Sequence, residues 1–264
     1  MKYIISELDK AQWEALHGEE ADKIFLDNPN QLVQDIEKNV DSCYQSIERV
    51  QSDISKFEEW CASDKYPQSL IEEFENAIRQ AKEYICFTEL LGDFFLIQMD
   101  VNTYSNQILT ADNEWNWRVF ARHFYTILYE HKNSVNRMLN VILNQALVVY
   151  GIDSAQYQNL KSEKKSFVKF INDNSEYAKS IRVTTDAHYD GIFVDRKTMI
   201  ESMSYSKVVT LINNYLIKST LLIHTIQPLI QKNENSLNGA LKSVVGAMEK
   251  YLSSLQEKNV SSKK

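Results

Sequence analysis

Two residues with side chains suited to act together on a phosphate group lie six positions apart, Arg182 and His188. A guanidinium presents a planar fork of N–H donors that matches a phosphate, and an imidazole gains or loses a proton near neutral pH. Together they suit phosphodiester cleavage in RNA, because the ribose hydroxyl can itself be the nucleophile. Such a reaction needs a group that transfers a proton and a cation that stabilises the developing phosphorane charge, and it needs no metal ion.

The segment that carries this pair, residues 182–191, has the composition of a helix end. Helical periodicity reaches the start of the segment, and the β-branched residues 183–185 then fit a helix less well. Asp190 and Gly191 form a turn signal. The sequence therefore predicts that Arg182 lies on a helix and that His188 lies near the exit of that helix.

A second arginine and histidine, Arg118 and His123, have a similar spacing. They lie within an unbroken helical pattern, where five residues correspond to about 140° around the axis at roughly 100° per residue. Their side chains should therefore point in different directions. Because short patterns of this kind also arise by chance, the local context decides between the two pairs, and it favours Arg182 and His188.

An arginine followed after five residues by a histidine, with a small residue before it and Asp190 shortly after, resembles the signature of the HEPN superfamily. That family is a helical bundle in which the motif follows two long helices and precedes a further amphipathic helix. Many members are dimeric, metal-independent RNases of toxin–antitoxin and phage-defence systems. The resemblance implies that Arg182 binds phosphate and His188 transfers a proton, with no cofactor. It also implies a homodimer with two such pairs facing one cleft, an RNA substrate, and an antitoxin or other protein partner.

Other sequence features favour a non-catalytic alternative. Val183 follows the arginine directly, where catalytic members of the family often have Asn, Asp or His. The net charge of −7 and the pI of about 5.4 also differ from the positive charge with which many proteins bind nucleic acid. The alternative is an all-helical interaction or scaffold protein of the same fold, in which Arg182 pairs with a neighbouring carboxylate and His188 ends a helix. A coiled-coil scaffold without any site is a third interpretation.

One concentrated basic run precedes the candidate pair. Its lysines are Lys161, Lys164, Lys165 and Lys169. They would either contact RNA phosphates beside the pair or form the solvated face of a helix that turns Phe167, Phe170 and Ile171 inward. We favour the second interpretation, because runs of charge most often line a solvated face.

The elements that must position these residues are predicted to be helices. Six glycines and three prolines in 264 residues are few, and 44% hydrophobic with 25% charged residues is ordinary for a soluble protein. We therefore predict an all-α fold. The resemblance implies that it is a HEPN-like helical bundle, and we expect a long antiparallel helical hairpin to precede it. The predicted domains are residues 1–100 (an N-terminal helix and the hairpin), 101–232 (the bundle) and 233–264 (a packing helix and a disordered tail).

The first half of the chain predicts three of these helices. A capping box at Ser6 and Asp9 starts a short docking helix over residues 6–17. Apolar residues then step by four and three over residues 31–60 and again from residue 70 to about 95, which predicts two long helices that fold back on each other. The polar segment 100–113 is predicted to be a turn-rich boundary.

The second half predicts the bundle. A wide apolar stripe marks residues 114–150 as its central helix, with His131 as a hydrogen-bonded core or rim histidine. Asn174 or Ser175 is predicted to cap the helix that carries Arg182, and a short extended piece follows at residues 192–194. Residues 205–230 are apolar on nearly all sides, which indicates burial inside the bundle or at a dimer interface. A last helix is predicted over residues 236–256.

The sequence also limits the compartment and the classes of enzyme. Cys43, Cys61 and Cys86 lack a paired metal-binding spacing, and an odd count without a signal peptide suggests a reducing compartment. Apolar runs are too short to cross a membrane, so we expect a cytoplasmic protein. The sequence has no Gly-rich phosphate loop, His-Glu-x-x-His or Gly-x-Ser-x-Gly motif, which argues against ATPases, zinc enzymes and serine hydrolases.

Overall fold

The computed structural model describes residues 29–183 and 193–261, and these residues contain helices and no β-strand. The helices are α1 (Pro29–Cys61), α2 (Gln68–Leu109), α3 (Glu114–Tyr150), α4 (Ala155–Arg182), α5 (Phe193–Glu201) and α6 (Tyr205–Ser261). The described chain is therefore all-α, as the scarcity of glycine and proline predicts. The docking helix predicted over residues 6–17 lies outside the described residues.

Local side-chain chemistry explains where α3 and α4 begin and end. The side chain of Asn113 accepts a hydrogen bond from the backbone N–H of Asn116, which caps α3. Gly151 ends this helix at a φ of 80°, a conformation that glycine adopts without steric cost. Ser154 then caps α4 by accepting from the N–H of Tyr157.

The chain forms two compact units. Unit 1 contains the described residues up to Val40 together with Asp93–Ile226, and unit 2 contains Asp41–Gly92 together with the described residues from Gln227 onward. The helices α1, α2 and α6 therefore each contribute residues to both units. The domain boundaries predicted after residues 100 and 232 stay predictions.

Aromatic side chains from four helices meet in the core of unit 1. Tyr215 of α6 is fully buried and contacts Phe124 of α3 and both Phe167 and Phe170 of α4. Phe94 of α2 packs on Phe167 in turn. These rings bury large apolar areas and join α2, α3, α4 and α6 into one bundle.

Helices α3 and α4 run antiparallel in this bundle. Lys164, near the start of α4, donates to the side chain of Asn140, whereas Arg182, at its end, pairs with Glu130. Helix α6 is antiparallel to α4, because Lys218 donates a hydrogen bond to Ser166 whereas Tyr215, earlier in α6, contacts Phe170, later in α4. The register between α3 and α4 brings the end of α4 beside the middle of α3.

Helix α2 continues through most of the segment that was predicted to be a turn-rich boundary. It ends at Leu109, and Val101, Asn102, Ser105 and Ile108 are all buried. Asn102 fits in this group because its side chain donates to the carbonyl oxygen of Gln98. Burial of this face therefore overrides its polar composition.

Helices α4 and α5 also differ from the prediction. Asn174 and Ser175 do not start a helix; their side chains bond back to the carbonyl oxygens of Phe170 and Asn172 inside α4. Of the predicted extended piece, residues 193 and 194 belong to α5, and residue 192 lies outside the described residues.

The two helices predicted over residues 205–230 and 236–256 form one helix, α6. Pro228 lies inside it. Ser236, at the predicted start of the second helix, donates to the carbonyl oxygen of Lys232 within the same helix. The serine is therefore a mid-helix residue and not a cap.

The core of unit 2 joins α1, α2 and α6. One cluster of buried residues comprises Phe57, Leu70, Phe74, Ala77, Ala240 and Val244. A second comprises Val50, Ile54, Ala81, Tyr84 and Leu237. The α1 residues in these clusters follow the spacing of four and three that predicted the helix.

Candidate functional site

Arg182 lies in the last turn of α4, and its neighbours in the sequence fix its direction. Ala178 and Ile181 are fully buried in unit 1, which leaves Arg182 at the surface of the bundle. Lys179 and Arg182 are the basic residues of this last turn, where positive charge interacts favourably with the helix dipole. The backbone N–H of Val183 still donates to carbonyl oxygens of that turn, so the helical hydrogen bonding extends to the edge of the described segment.

The guanidinium of Arg182 is held by two residues of α3. Its Nη2 lies 2.6 Å from Oε1 of Glu130, and the group lies over the ring of Tyr129, 5.1 Å from the ring centre. The side chain of Arg182 is 33% exposed and that of Glu130 is 55% exposed. Because both charges remain in contact with water, such a pair contributes about 1 kcal/mol or less.

The other half of the predicted pair, His188, lies outside the described residues. The structure therefore places Arg182 at the end of a helix, as predicted from the sequence. The distance between its guanidinium and the imidazole stays a prediction.

The second arginine–histidine pair diverges, as its helical spacing predicts. Arg118 lies beside Glu114 at 3.0 Å and over the ring of Trp117. His123 instead stacks on Tyr104 of α2 with 5.4 Å between ring centres. The two side chains contact different groups, so they do not form a common site.

The lysine run forms the outer face of α4. Phe167 and Ile171 are buried, which confirms that the apolar residues of this segment turn inward. Lys169 pairs with Asp173, one turn further along the same helix, at 2.5 Å. Lys164 reaches Asn140 of α3, and its partial burial lowers the pKa of its ammonium group. Lys161, Lys165 and Lys169 are exposed, so most of the run lies on a solvated helix face.

Two buried polar contacts in unit 1 join residues that are distant in the sequence. The hydroxyl of Tyr215 lies 2.9 Å from Nδ1 of His131, and Gln98 donates to Ser219 at 2.7 Å. Burial lowers the pKa of His131 to about 4 and raises the pKa of Tyr215. The prediction that His131 is a hydrogen-bonded core residue is confirmed, but its partner has no signal in the sequence.

The remaining candidate chemistry is limited. Over residues 29–183 and 193–261, no group of three or more His, Cys, Asp or Glu side chains is placed to hold a metal ion. Cys43, Cys61 and Cys86 are free thiols, and burial raises the pKa of Cys43. None of the described helices has the combination of length and apolar character that crossing a membrane requires.

Comparisons of the chain with protein-family models, with curated proteins and with solved structures found no match. The case for a functional site therefore rests on the residues of this chain.

Proposed function

We propose that unit 1 is a HEPN-like helical bundle and that the protein is a metal-independent endoribonuclease of the toxin–antitoxin or phage-defence type. Arg182 binds the scissile phosphate, and His188 transfers a proton. The observation that carries this proposal is the position of Arg182 at the end of α4, after α3 and before α6. This is the order of elements that the resemblance implies.

The surroundings of Arg182 suit a phosphate-binding role. The guanidinium carbon lies over the ring of Tyr129, a cation–π contact that helps to hold the group in place, and the group carries a planar fork of N–H donors. Its partial exposure leaves the group accessible to a ligand in solvent. An oriented fork of this kind gives bidentate hydrogen bonds to two phosphate oxygens.

Glu130 competes with a phosphate for the same donors. Its carboxylate is more than half exposed, so the ion pair is screened by water and contributes little free energy. A phosphodiester that also contacts other groups of the site would displace it at small cost. In this proposal Glu130 holds the arginine in position between substrates.

A second candidate function rests on the same ion pair. At 2.6 Å, Glu130 is the neighbouring carboxylate that a structural role of Arg182 requires. In that case the pair ties the end of α4 to α3, and the protein is a non-catalytic, all-helical interaction protein. The acidic net charge of −7 favours this candidate.

Both candidates include protein partners. We expect an antitoxin or other protein partner in the cytoplasm. We also expect α1 and the first part of α2, which share both core clusters of unit 2, to form an antiparallel hairpin. A homodimer is also expected. Residues 205–230 were predicted to be buried inside the bundle or at a dimer interface; most of them are buried or partly buried, and Ile217 and Leu221 are exposed.

RNA cleavage by the purified protein tests the proposal. In EDTA the wild-type protein should cleave single-stranded RNA and leave a cyclic phosphate, and His188→Ala should lower the rate by about 10² or more. His123→Ala is the matched control, since this histidine contacts Tyr104 and takes no part in the proposed chemistry. Equal rates for both variants and the wild type would exclude His188 as the proton-transfer group. Absence of cleavage over a broad panel of RNAs would leave the interaction protein as the better candidate.

A further inference from the structure

The C-terminal part of α6, in unit 2, carries an apolar stripe that its own unit covers only in part. Its members follow spacings of four, three, four and three, and they are Leu241, Val245, Met248, Leu252 and Leu255. Val245, Leu252 and Leu255 are 57%, 52% and 37% exposed, whereas Leu241 and Met248 touch the edge of the unit 2 core. A repeat of this spacing is the pattern of a coiled-coil seam.

The centre of this stripe is displaced from the face that α6 turns toward α1 and α2, although Leu241 and Met248 contact the edge of that core. That inner face contains Leu237, Ala240, Val244, Ala247 and Tyr251. At 100° per residue, the centres of the two stripes lie roughly 80° apart around the helix axis. The inner face ends where the hydroxyl of Tyr251 donates to the carbonyl oxygen of Lys65. Helix α6 continues to Ser261, roughly 15 Å further at 1.5 Å per residue, and residues 252–257 are all exposed.

A shallow groove on this surface has the geometry that a partner side chain would fill. Four residues of α6 line it: Asn238, Leu241, Lys242 and Val245. They occupy positions i, i+3, i+4 and i+7 of the helix, the four neighbours that form a hole for one knob of a facing helix.

We propose that this surface binds a second copy of the chain, with the two α6 helices antiparallel. The two-fold axis passes between Gly246 and Ala247, and Leu252 of each copy fills the groove of the other. Leu252 lies roughly 8 Å from that axis along the helix, and the centre of the groove lies roughly 7.5 Å from it on the other side. Leu252 of each copy therefore lies at about the same height as the groove of the other copy, and the contact is made twice, as a symmetric interface requires.

Charge complementarity selects a second copy as the occupant. Lys242 and Glu249 are both exposed, and they lie seven residues apart on the same flank of the stripe. In the antiparallel arrangement Lys242 of each copy lies on the same side of the interface as Glu249 of the other and roughly 3 Å from it in height, within reach of its long side chain, so the surface is complementary to itself. In a parallel pair in register, Lys242 of one copy and Glu249 of the other would lie on opposite sides of the seam and would not pair. The proposal does not depend on RNA cleavage, because the surface lies in unit 2 and Arg182 lies in unit 1.

The molar mass of the full chain, measured by light scattering across about 1 to 100 μM, tests the interface. The wild-type mass should rise from 30.7 kDa toward twice that value. Leu252→Lys should raise the dissociation constant about tenfold or more, because it places a charge in the apolar groove. Val148→Lys is the matched control, since Val148 is an apolar residue of unit 1 that is 85% exposed. Circular dichroism checks that each variant keeps its helices.

A charge exchange tests the antiparallel direction. Lys242→Glu and Glu249→Lys should each weaken association at low salt, and the double variant should restore it, because the pairs are re-formed with opposite sign. A wild-type protein that stays at 30.7 kDa throughout would overturn the proposal and point to a helix of another protein as the occupant. Failure of the double variant to restore association, or an equal loss in Val148→Lys, would also overturn it.

Discussion

Acid should destabilise unit 1 through one histidine. His131 is 5% exposed, and its Nδ1 lies 2.9 Å from the hydroxyl of Tyr215. Burial lowers its pKa from 6.5 to about 4. Whichever of the two groups donates this hydrogen bond, protonation of the ring places a charge in an apolar core, and that charge disfavours the folded state.

The sign and size of the effect follow from proton linkage. Between pH 6.5 and about 4 the unfolded chain binds a proton at residue 131 that the folded chain does not bind. The free energy of unfolding therefore falls as the pH falls through this window, and the contribution is fully present above it. A separation of about 2.5 between the two pKa values corresponds to about 3 kcal/mol, with a steepest slope of about 1.4 kcal/mol per pH unit.

Urea unfolding at a series of pH values, followed by circular dichroism, measures this contribution. Carboxyl groups also titrate in the window, so the informative quantity is the difference between the wild type and His131→Gln. Between pH 7 and pH 4, the free energy of unfolding should fall further in the wild type than in the variant, by up to about 3 kcal/mol. His123→Gln, on the exposed side of the same helix, is the control and should keep the wild-type slope. Parallel curves for the wild type and His131→Gln would show that the buried imidazole is not the acid-sensitive group.

Two further predictions concern the folded state. Phe74→Ala should lower the free energy of unfolding by about 3–5 kcal/mol, because Phe74 is fully buried in the unit 2 core. Urea unfolding measures the loss, with Tyr44→Ala, at an exposed aromatic residue of the same unit, as the control. Equal losses in the two variants would contradict the assigned core. Gly151→Ala should lower the free energy of unfolding by about 1–2 kcal/mol, because alanine is strained at the φ of 80° found there. Gly239→Ala should raise it by about 0.5–1 kcal/mol, because Gly239 lies inside α6 with open space around it. Thermal unfolding of both glycine variants decides, and a Gly151→Ala protein as stable as the wild type would refute the backbone argument.

Long-range periodicity made several helices predictable. The bounds of α3 agree with the prediction at Glu114 and Tyr150, because Asn113 caps one end and Gly151 ends the other. The apolar positions of α1, such as Val50 and Phe57, are buried at the predicted spacing. Where pattern and caps point to the same element, the sequence alone is sufficient.

Local polar signals were ambiguous in the other helices. Asn174, Ser175 and Ser236 have side chains that cap helix starts, but the same side chains also bond back to carbonyl oxygens inside a helix. Burial of the neighbouring apolar residues decides between the two, and burial depends on the whole fold.

The candidate site was predictable only in part. The position of Arg182 at a helix end follows from the β-branched residues after it. Its partners do not, since Tyr129 and Glu130 precede it by about fifty residues and reach it through the register of α3 against α4. Charge pairs across helices of this kind have no periodic signal in a single sequence.

The rate of RNA cleavage in EDTA by Arg182→Lys, measured beside Glu130→Gln, is the most direct test of the proposed function. Lysine keeps the positive charge but lacks the planar fork, so a bidentate phosphate contact predicts a loss of about 10² or more. Glu130→Gln removes the competing carboxylate and should leave the rate unchanged or raise it. If Arg182→Lys cleaves RNA at the wild-type rate, Arg182 does not bind the scissile phosphate and the proposed mechanism is wrong.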